Sequence, residues 1–307
     1  MNSGEQNHKK QINKSSKKVI LVTGGAGFIG SHLCERLAQD ENNRVISLDN
    51  YFTGTKDNHV PNVEYREGHT KDIEKHIPET PDIIYHLGEY SRVAKSIEEP
   101  DIVWDLNIQG TLAVLEFWRK KKCKLVYAGS STKSVGARED GITGRNLAPY
   151  TWGKAINSEL VVNYGNWYDL PYAITYFYNV YGAGERGGVE KYGTVIETFK
   201  QNFLSKKPHQ VRSPGTQTRT FTHIDDTVAG IILVGEKGKG DGYGISAKES
   251  ISLLDVAKMF GGDIEMLPPT KTTRPHSVVD TKKIEKLGWK QTKTLKEYIQ
   301  EVVKNNK

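Results

Sequence analysis

Cysteine is nearly absent: Cys34 and Cys123 are the two in 307 residues. Two cysteines cannot build a disulfide framework, so they are expected to be packing residues in a reducing compartment. No apolar run approaches the roughly 20 residues that a bilayer span needs. No hydrophobic segment follows the N-terminal lysines, as a secretory signal would require. The expected location is the cytoplasm, with no membrane partner. Internal repeats are missing, and no metal is called for. The formal charge of +6 hints at nucleic acid, but its placement argues otherwise. Residues 1–18 carry Lys9, Lys10, Lys14, Lys17 and Lys18 against Glu5, whereas the rest of the chain holds 38 basic and 36 acidic residues. The basicity belongs to a polar tail, expected to be disordered over 1–17. No basic stripe interleaved with aromatics exists to grip nucleic acid.

What the chain does have is glycine in a telling place. Val19-Ile20-Leu21-Val22-Thr23 reads as a buried parallel strand. It breaks into Gly24-Gly25-Ala26-Gly27 and resumes with helical spacing from Phe28-Ile29-Gly30 through Leu37. Glycines at 24, 27 and 30 allow a tight turn and let a pyrophosphate approach the helix N-terminus, where free N–H groups favour anions. A second strand, Arg44–Leu48, ends at Asp49, nineteen residues after Gly30. A carboxylate there accepts hydrogen bonds from an adenosine ribose and repels a 2′-phosphate, which predicts NAD rather than NADP.

Strand-like runs recur at 19–23, 44–48, 62–66, 82–87, 124–128 and 172–177, with helical patterns at 28–39, 98–120 and 150–168 between them. This alternation predicts an α/β fold, a Rossmann-type doubly wound parallel sheet over 18–177. After Phe177 the chain turns glycine-rich, and 178–307 is expected to be mainly a smaller substrate-binding lobe, with a segment near 219–236 returning to the first domain. The two long helices carry apolar residues (Val103, Leu106, Ile108, Leu112, Leu115; Ile156, Leu160, Val161) that suit either a subunit interface or packing on the sheet.

The chemistry-bearing residues follow the fifth strand. Leu125–Ala128 runs into Gly129 and a hydroxyl cluster, Ser130, Ser131 and Thr132. Tyr150 and Lys154, four residues apart, share one helix face. A free tyrosine, with a pKa of about 10, is a poor base at neutral pH. A nearby ammonium and a positive nicotinamide ring favour the phenolate. A neighbouring hydroxyl can share the proton with an alcohol whose carbon gives up a hydride.

On these motifs residues 18 to about 303 resemble the extended short-chain dehydrogenase/reductases, specifically the NAD-dependent sugar-nucleotide epimerase/dehydratase family. Thr23–Gly30 is similar to its cofactor loop, and Asp49-Asn50, with Thr53-Gly54 behind, to its ribose-binding turn. His86-Leu87-Gly88 and Asn107–Thr111 resemble the segments flanking the nicotinamide. The resemblance therefore implies cofactor contacts from Gly24, Gly27, Phe28, Ile29, Gly30, Asp49, Asn50, Leu87, Gly88, Asn107, Tyr150 and Lys154. It makes Tyr150 the general base and Lys154 its partner. Asn179 in Tyr176–Gly182, Arg219 in Gly215–Asp226, and Arg274 before Pro275 resemble substrate contacts. Two arginines suit a diphosphate, because guanidinium forks pair with phosphate oxygens. The implied partners are a nucleotide-diphosphate sugar, most simply a UDP-sugar, and a second copy of the chain through the long helices. The implied role is supplying sugars for polysaccharide assembly.

The chain also departs from the family pattern. Gly68-His69-Thr70 stands where Gly-Asp-Ile is usual in the adenine-contacting segment, and Lys133-Ser134-Val135-Gly136 replaces a Val-Tyr-Gly ending with shifted spacing. Counting from the strand makes Ser130 the catalytic hydroxyl; counting back from Gly136 makes it Ser131, with Thr132 behind. Dehydratases and decarboxylases of the family place an acid just after that hydroxyl. Here Thr132 and Lys133 follow, which argues against dehydration. Glu89 replaces a usual alanine, and it or Arg92 is a candidate to face the sugar. The leading expectation is C4 epimerisation of a UDP-hexose through a 4-keto sugar. Net oxidation of a nucleotide sugar is the rival, 4,6-dehydration ranks below it, and a non-catalytic NAD-binding role is weakest.

Overall fold

The computed structural model describes residues 16–130, 144–177, 179–185, 194–269 and 279–306. The chain begins β1 (Lys18–Thr23), α1 (Phe28–Ala38), β2 (Asn43–Asp49), β3 (Val63–Glu67), the single turn α2 (Ile73–His76) and β4 (Ile83–His86). The short α3 (Pro100–Ile102) leads through a wide π-helical stretch, Val103–Gln109, into α4 (Gly110–Lys121). Then come β5 (Lys124–Gly129), α5 (Pro149–Tyr168) and β6 (Tyr172–Tyr176). The second half contributes β7 (Val180–Tyr181), α6 (Val195–Leu204), β8 (His209–Arg212), β9 (Thr218–Thr220), β10 (Thr222–His223) and α7 (Ile224–Lys237). It ends with β11 (Gly240–Gly244), β12 (Ser250–Ser252), α8 (Leu253–Phe260), β13 (Ile264–Leu267), α9 (Lys282–Glu285) and α10 (Leu295–Asn305).

Seven strands form one parallel sheet in the order β3-β2-β1-β4-β5-β6-β11. Strand order reverses between β1 and β4, and this switch point opens a crevice at the strands' carboxyl ends. The central strands are apolar on both faces because helices cover both. Leu33 and Leu37 of α1 join Ile231 and Val234 of α7 on one face. Val114, Leu115 and Trp118 of α4 join Val161 and Tyr164 of α5 on the other. Each such side chain contributes on the order of 1.5–3 kcal/mol on burial. Phe199, Val211, Val256, Phe260, Leu295 and Ile299 build a separate small core from α6, β8, α8 and α10.

The doubly wound sheet matches the expectation, but its seventh strand does not come from the first 177 residues. Gly240-Asp241-Gly242-Tyr243-Gly244 lacks an apolar run, yet Tyr243 is buried where β11 pairs with β6. The return to the sheet thus continues past 236, and Ile284 and Trp289 also enter that core. The long helices divide their apolar residues. Leu115 and Val161 pack beneath the sheet, whereas Leu112 is 44% exposed. Trp104 and Trp152 meet edge to face on the surface, with ring centres 5.9 Å apart.

Candidate active site

A cleft of about 480 Å³ lies over the switch point and is lined from both halves of the chain. Its floor at the β1 end is the glycine turn. Gly24 adopts φ +74°, and a Cβ there would stand 2.8 Å from the Gly88 Cα, so the β1–α1 and β4 turns press together. A Cβ at Gly30 would overlap the Gly24 carbonyl. α1 opens after Gly27 with no side-chain cap and no acid in its first turn. Its leading N–H groups and positive dipole end are therefore suited to an anion. Gly24, Gly27, Phe28, Ile29 and Gly30 all line the cleft.

Asp49 closes the same end. Buried at the carboxyl end of β2, it accepts the Ala26 N–H at 2.9 Å and the Tyr51 N–H at 2.8 Å. Burial raises its pKa above the ordinary carboxyl value, and the two backbone hydrogen bonds pull the other way. Its carboxylate ties the glycine turn to the β2 turn, and Asn50 lines the cleft beside it. Leu87 and Gly88 also line the cleft. Asn107 does not. Buried in the π-helical stretch, it spends its side-chain oxygen on the Tyr90 N–H and its amide on the Tyr90 carbonyl. It clamps the loop after β4 rather than facing a ligand.

At the other end, α5 presents Tyr150 and Lys154. Pro149 occupies its first turn, and the Ser96 hydroxyl accepts the Tyr150 N–H at 3.2 Å, fixing where the helix begins. Both residues line the cleft and are largely buried. Lys154 donates to the Ala128 carbonyl at 2.6 Å and lies 4.9 Å from the centre of the Tyr127 ring. Ser130, at the end of β5, lines the cleft; Ser131 and Thr132 lie outside the described residues.

The substrate candidates separate. Asn179, in a left-handed backbone conformation, lines the cleft and donates to the Thr220 carbonyl at 3.1 Å. Arg92 lines the cleft too, but Arg219 does not: from β9 its guanidinium reaches the Thr218 carbonyl at 2.7 Å. Arg274 falls outside the described residues. The expectation that Glu89 faces the sugar needs correction. Its carboxylate turns inward and pairs with the Lys154 ammonium, leaving the Glu89 side chain 1% exposed.

Sequence reasoning missed Glu185, whose half-buried carboxylate in the cleft accepts the N–H and the hydroxyl of Thr194, each at 2.7 Å. Desolvation raises its pKa above the ordinary range. Only its position in a glycine-rich loop after β7 could have drawn attention to it.

Comparison with known proteins places the chain in a family. Residues 20–246 match the NAD dependent epimerase/dehydratase family. A Methanocaldococcus jannaschii protein named "Putative UDP-glucose 4-epimerase" is 33% identical over 305 residues, covering 94% of this chain and 99% of its own. UDP-glucuronic acid decarboxylase 6 of Arabidopsis thaliana is 29% identical, over 91% of this chain and 85% of its own. The structure of the Thermus thermophilus UDP-glucose 4-epimerase in complex with NAD superimposes with a TM-score of 0.81 at 24% identity, covering 93% of this chain and 98% of that one. The chain therefore belongs to the NAD-dependent epimerase/dehydratase family, enzymes of nucleotide sugars.

Proposed function

We propose that this protein epimerises a nucleotide sugar at C4, with a UDP-hexose as substrate and tightly held NAD as cofactor. One observation carries the reading: Tyr150 and Lys154 line the same cleft as the glycine turn and Asp49. Gly24, Gly27, Gly30 and the α1 N-terminus would hold the pyrophosphate, Asp49 the ribose, and Leu87 and Gly88 the nicotinamide end. Bound NAD supplies the acceptor for the C4 hydride and its return. Tyr150 takes the proton of the C4 hydroxyl and gives it back after the keto sugar has turned over. Lys154 stabilises the phenolate in that exchange, and Ser130, or the adjoining Ser131 or Thr132, relays the proton. Asn179 and Arg92 bind the nucleotide sugar beside the reacting ring, with Arg274 as a diphosphate partner. The exposed Trp104–Trp152 pair and Leu112 support a homodimer built on the two long helices.

The test is incubation with UDP-, GDP- and dTDP-sugars, following product mass and NADH absorbance together. A product of unchanged mass but altered chromatographic position, without accumulating NADH, is expected. Loss of two hydrogens with NADH build-up would make the enzyme a dehydrogenase, and loss of water a dehydratase. Tyr150→Phe should lose activity by about 10²-fold or more, as removal of a general base does, while still binding NAD.

A further inference from the structure

Beneath the tyrosine–lysine pair lies a buried carboxylate that this reaction does not itself consume. Besides the Lys154 ammonium, Glu89 accepts the Thr111 hydroxyl, the Tyr127 phenol at 3.0 Å and the Asn157 amide at 2.9 Å. The donors come from α4, β5 and α5, so three elements packed on the loop after β4 converge on one side chain. The contacts continue outward. His86 Nε2 lies 2.9 Å from the Thr111 hydroxyl oxygen, His86 Nδ1 lies 2.7 Å from the Thr23 hydroxyl, and that hydroxyl accepts the Gly88 N–H at 3.1 Å.

Donor accounting fixes the direction of this chain. Thr111 has one proton and spends it on Glu89, so His86 must carry its hydrogen on Nε2. Its Nδ1 then accepts from Thr23. The arrangement is satisfied with Glu89 ionised and His86 neutral. The electrostatics agree. Burial opposes the Glu89 charge, but the Lys154 ammonium and the hydrogen bonds hold its pKa below the ordinary value, while burial lowers that of His86 to about 4. Tyr127, hydrogen-bonded to Glu89, stays protonated because burial and the Glu89 charge both raise its pKa.

A lone ammonium beside a phenol makes the phenolate easier to form. Here the ammonium is held by a carboxylate and the Ala128 carbonyl. We propose that Glu89 is a positioning residue for the Tyr150–Lys154 pair: its buried carboxylate anchors the Lys154 ammonium, offsets its charge, and so raises the pH at which Tyr150 gives up its proton. The inference rests on the proposed pairing of Tyr150 with Lys154, but its first readout needs no turnover.

The experiment is a phenolate titration by difference absorbance on NAD-saturated protein, with Tyr150→Phe as the blank that isolates Tyr150. In Glu89→Gln the Tyr150 transition should move down by about one pH unit, as loss of a neighbouring negative charge dictates. Glu89→Asp, which keeps the charge but withdraws it by one methylene, should move it less in the same direction. The acidic limb of the kcat/KM profile should follow. A folded Glu89→Gln protein with an unmoved transition overturns the inference. If that variant does not fold, an unmoved transition in Glu89→Asp does so. A shifted transition in a protein that converts no nucleotide sugar upholds this inference and overturns the proposed reaction. Conversion with an acidic limb that Glu89→Gln leaves in place overturns this inference alone.

Discussion

Two buried carboxylates mark the ends of one cleft, and they are solved in opposite ways. Asp49 pairs with no lysine or arginine among the described residues; it takes two backbone N–H groups, and burial raises its pKa. Glu89 has a cation and three neutral donors, and despite complete burial its pKa is lowered. The first carboxylate shapes backbone, holding the glycine turn and the β2 turn where a cofactor must lie. The second manages charge, fixing the cation on which the reactive pair depends. Burial alone therefore says little about a carboxylate's task; its partners decide it.

The largest effect should come from breaking the charge-managing end. Lys154→Met strands the Glu89 carboxylate without its cation, and losing one partner of a buried ion pair costs about 3–5 kcal/mol. Chemical denaturation should show that loss. The double variant Lys154→Met/Glu89→Gln should recover much of it, because no buried charge is then left unpaired. A double variant no more stable than Lys154→Met would dissolve the distinction between the two carboxylates.

A second test uses pH. The unfolded chain protonates His86 near its ordinary 6.5, whereas the folded protein, with the ring buried, resists until about 4. The unfolded state thus binds more protons between these values, so stability should fall as pH drops through that window, by roughly 2–3 kcal/mol in all. The stability that neutral His86 confers is fully present above 6.5. Replacing His86 with Gln should flatten the slope in denaturation midpoints measured from pH 7 to pH 4.

The smallest expected effect lies at the backbone-shaping end. In Asp49→Asn one of the two N–H groups meets an amide N–H₂ instead of an acceptor, at a cost of about 1–3 kcal/mol. NAD affinity, read by calorimetry, should fall accordingly by roughly tenfold, since about 1.4 kcal/mol is a factor of ten. The Tyr150 titration should stay where it was. Movement of that titration by Asp49→Asn as large as that by Glu89→Gln would mean the two ends share one electrostatic field.

The same contrast explains what the sequence disclosed. The Asp49 end was legible because its parts are close in the chain: a strand, three glycines at 24, 27 and 30, a helix, and an acid at the end of the next strand. Tyr150 and Lys154 were legible for the same reason, one helical turn apart. Glu89 stood out as a departure, but its inward pairing was not legible, because Thr111, Tyr127, Lys154 and Asn157 reach it from 22 to 68 residues away. No local spacing announces such a meeting, and a charge in place of an alanine pointed to the sugar instead. Asn107 was misplaced for a related reason: its pattern suggested a ligand contact, while the π-helical stretch aims it at the Tyr90 backbone. The β11 strand escaped notice because its glycines mimic a turn, and pairing with β6 supplies what propensity withholds.

The central claim, that hydride leaves and returns to the same carbon while Tyr150 handles the proton, is tested most directly by isotope. UDP-glucose carrying deuterium at C4 should give its C4 epimer with the deuterium still at C4, and Tyr150→Phe should give almost none. Deuterium lost to solvent, transferred to C6 or accumulating on the released cofactor would contradict the account.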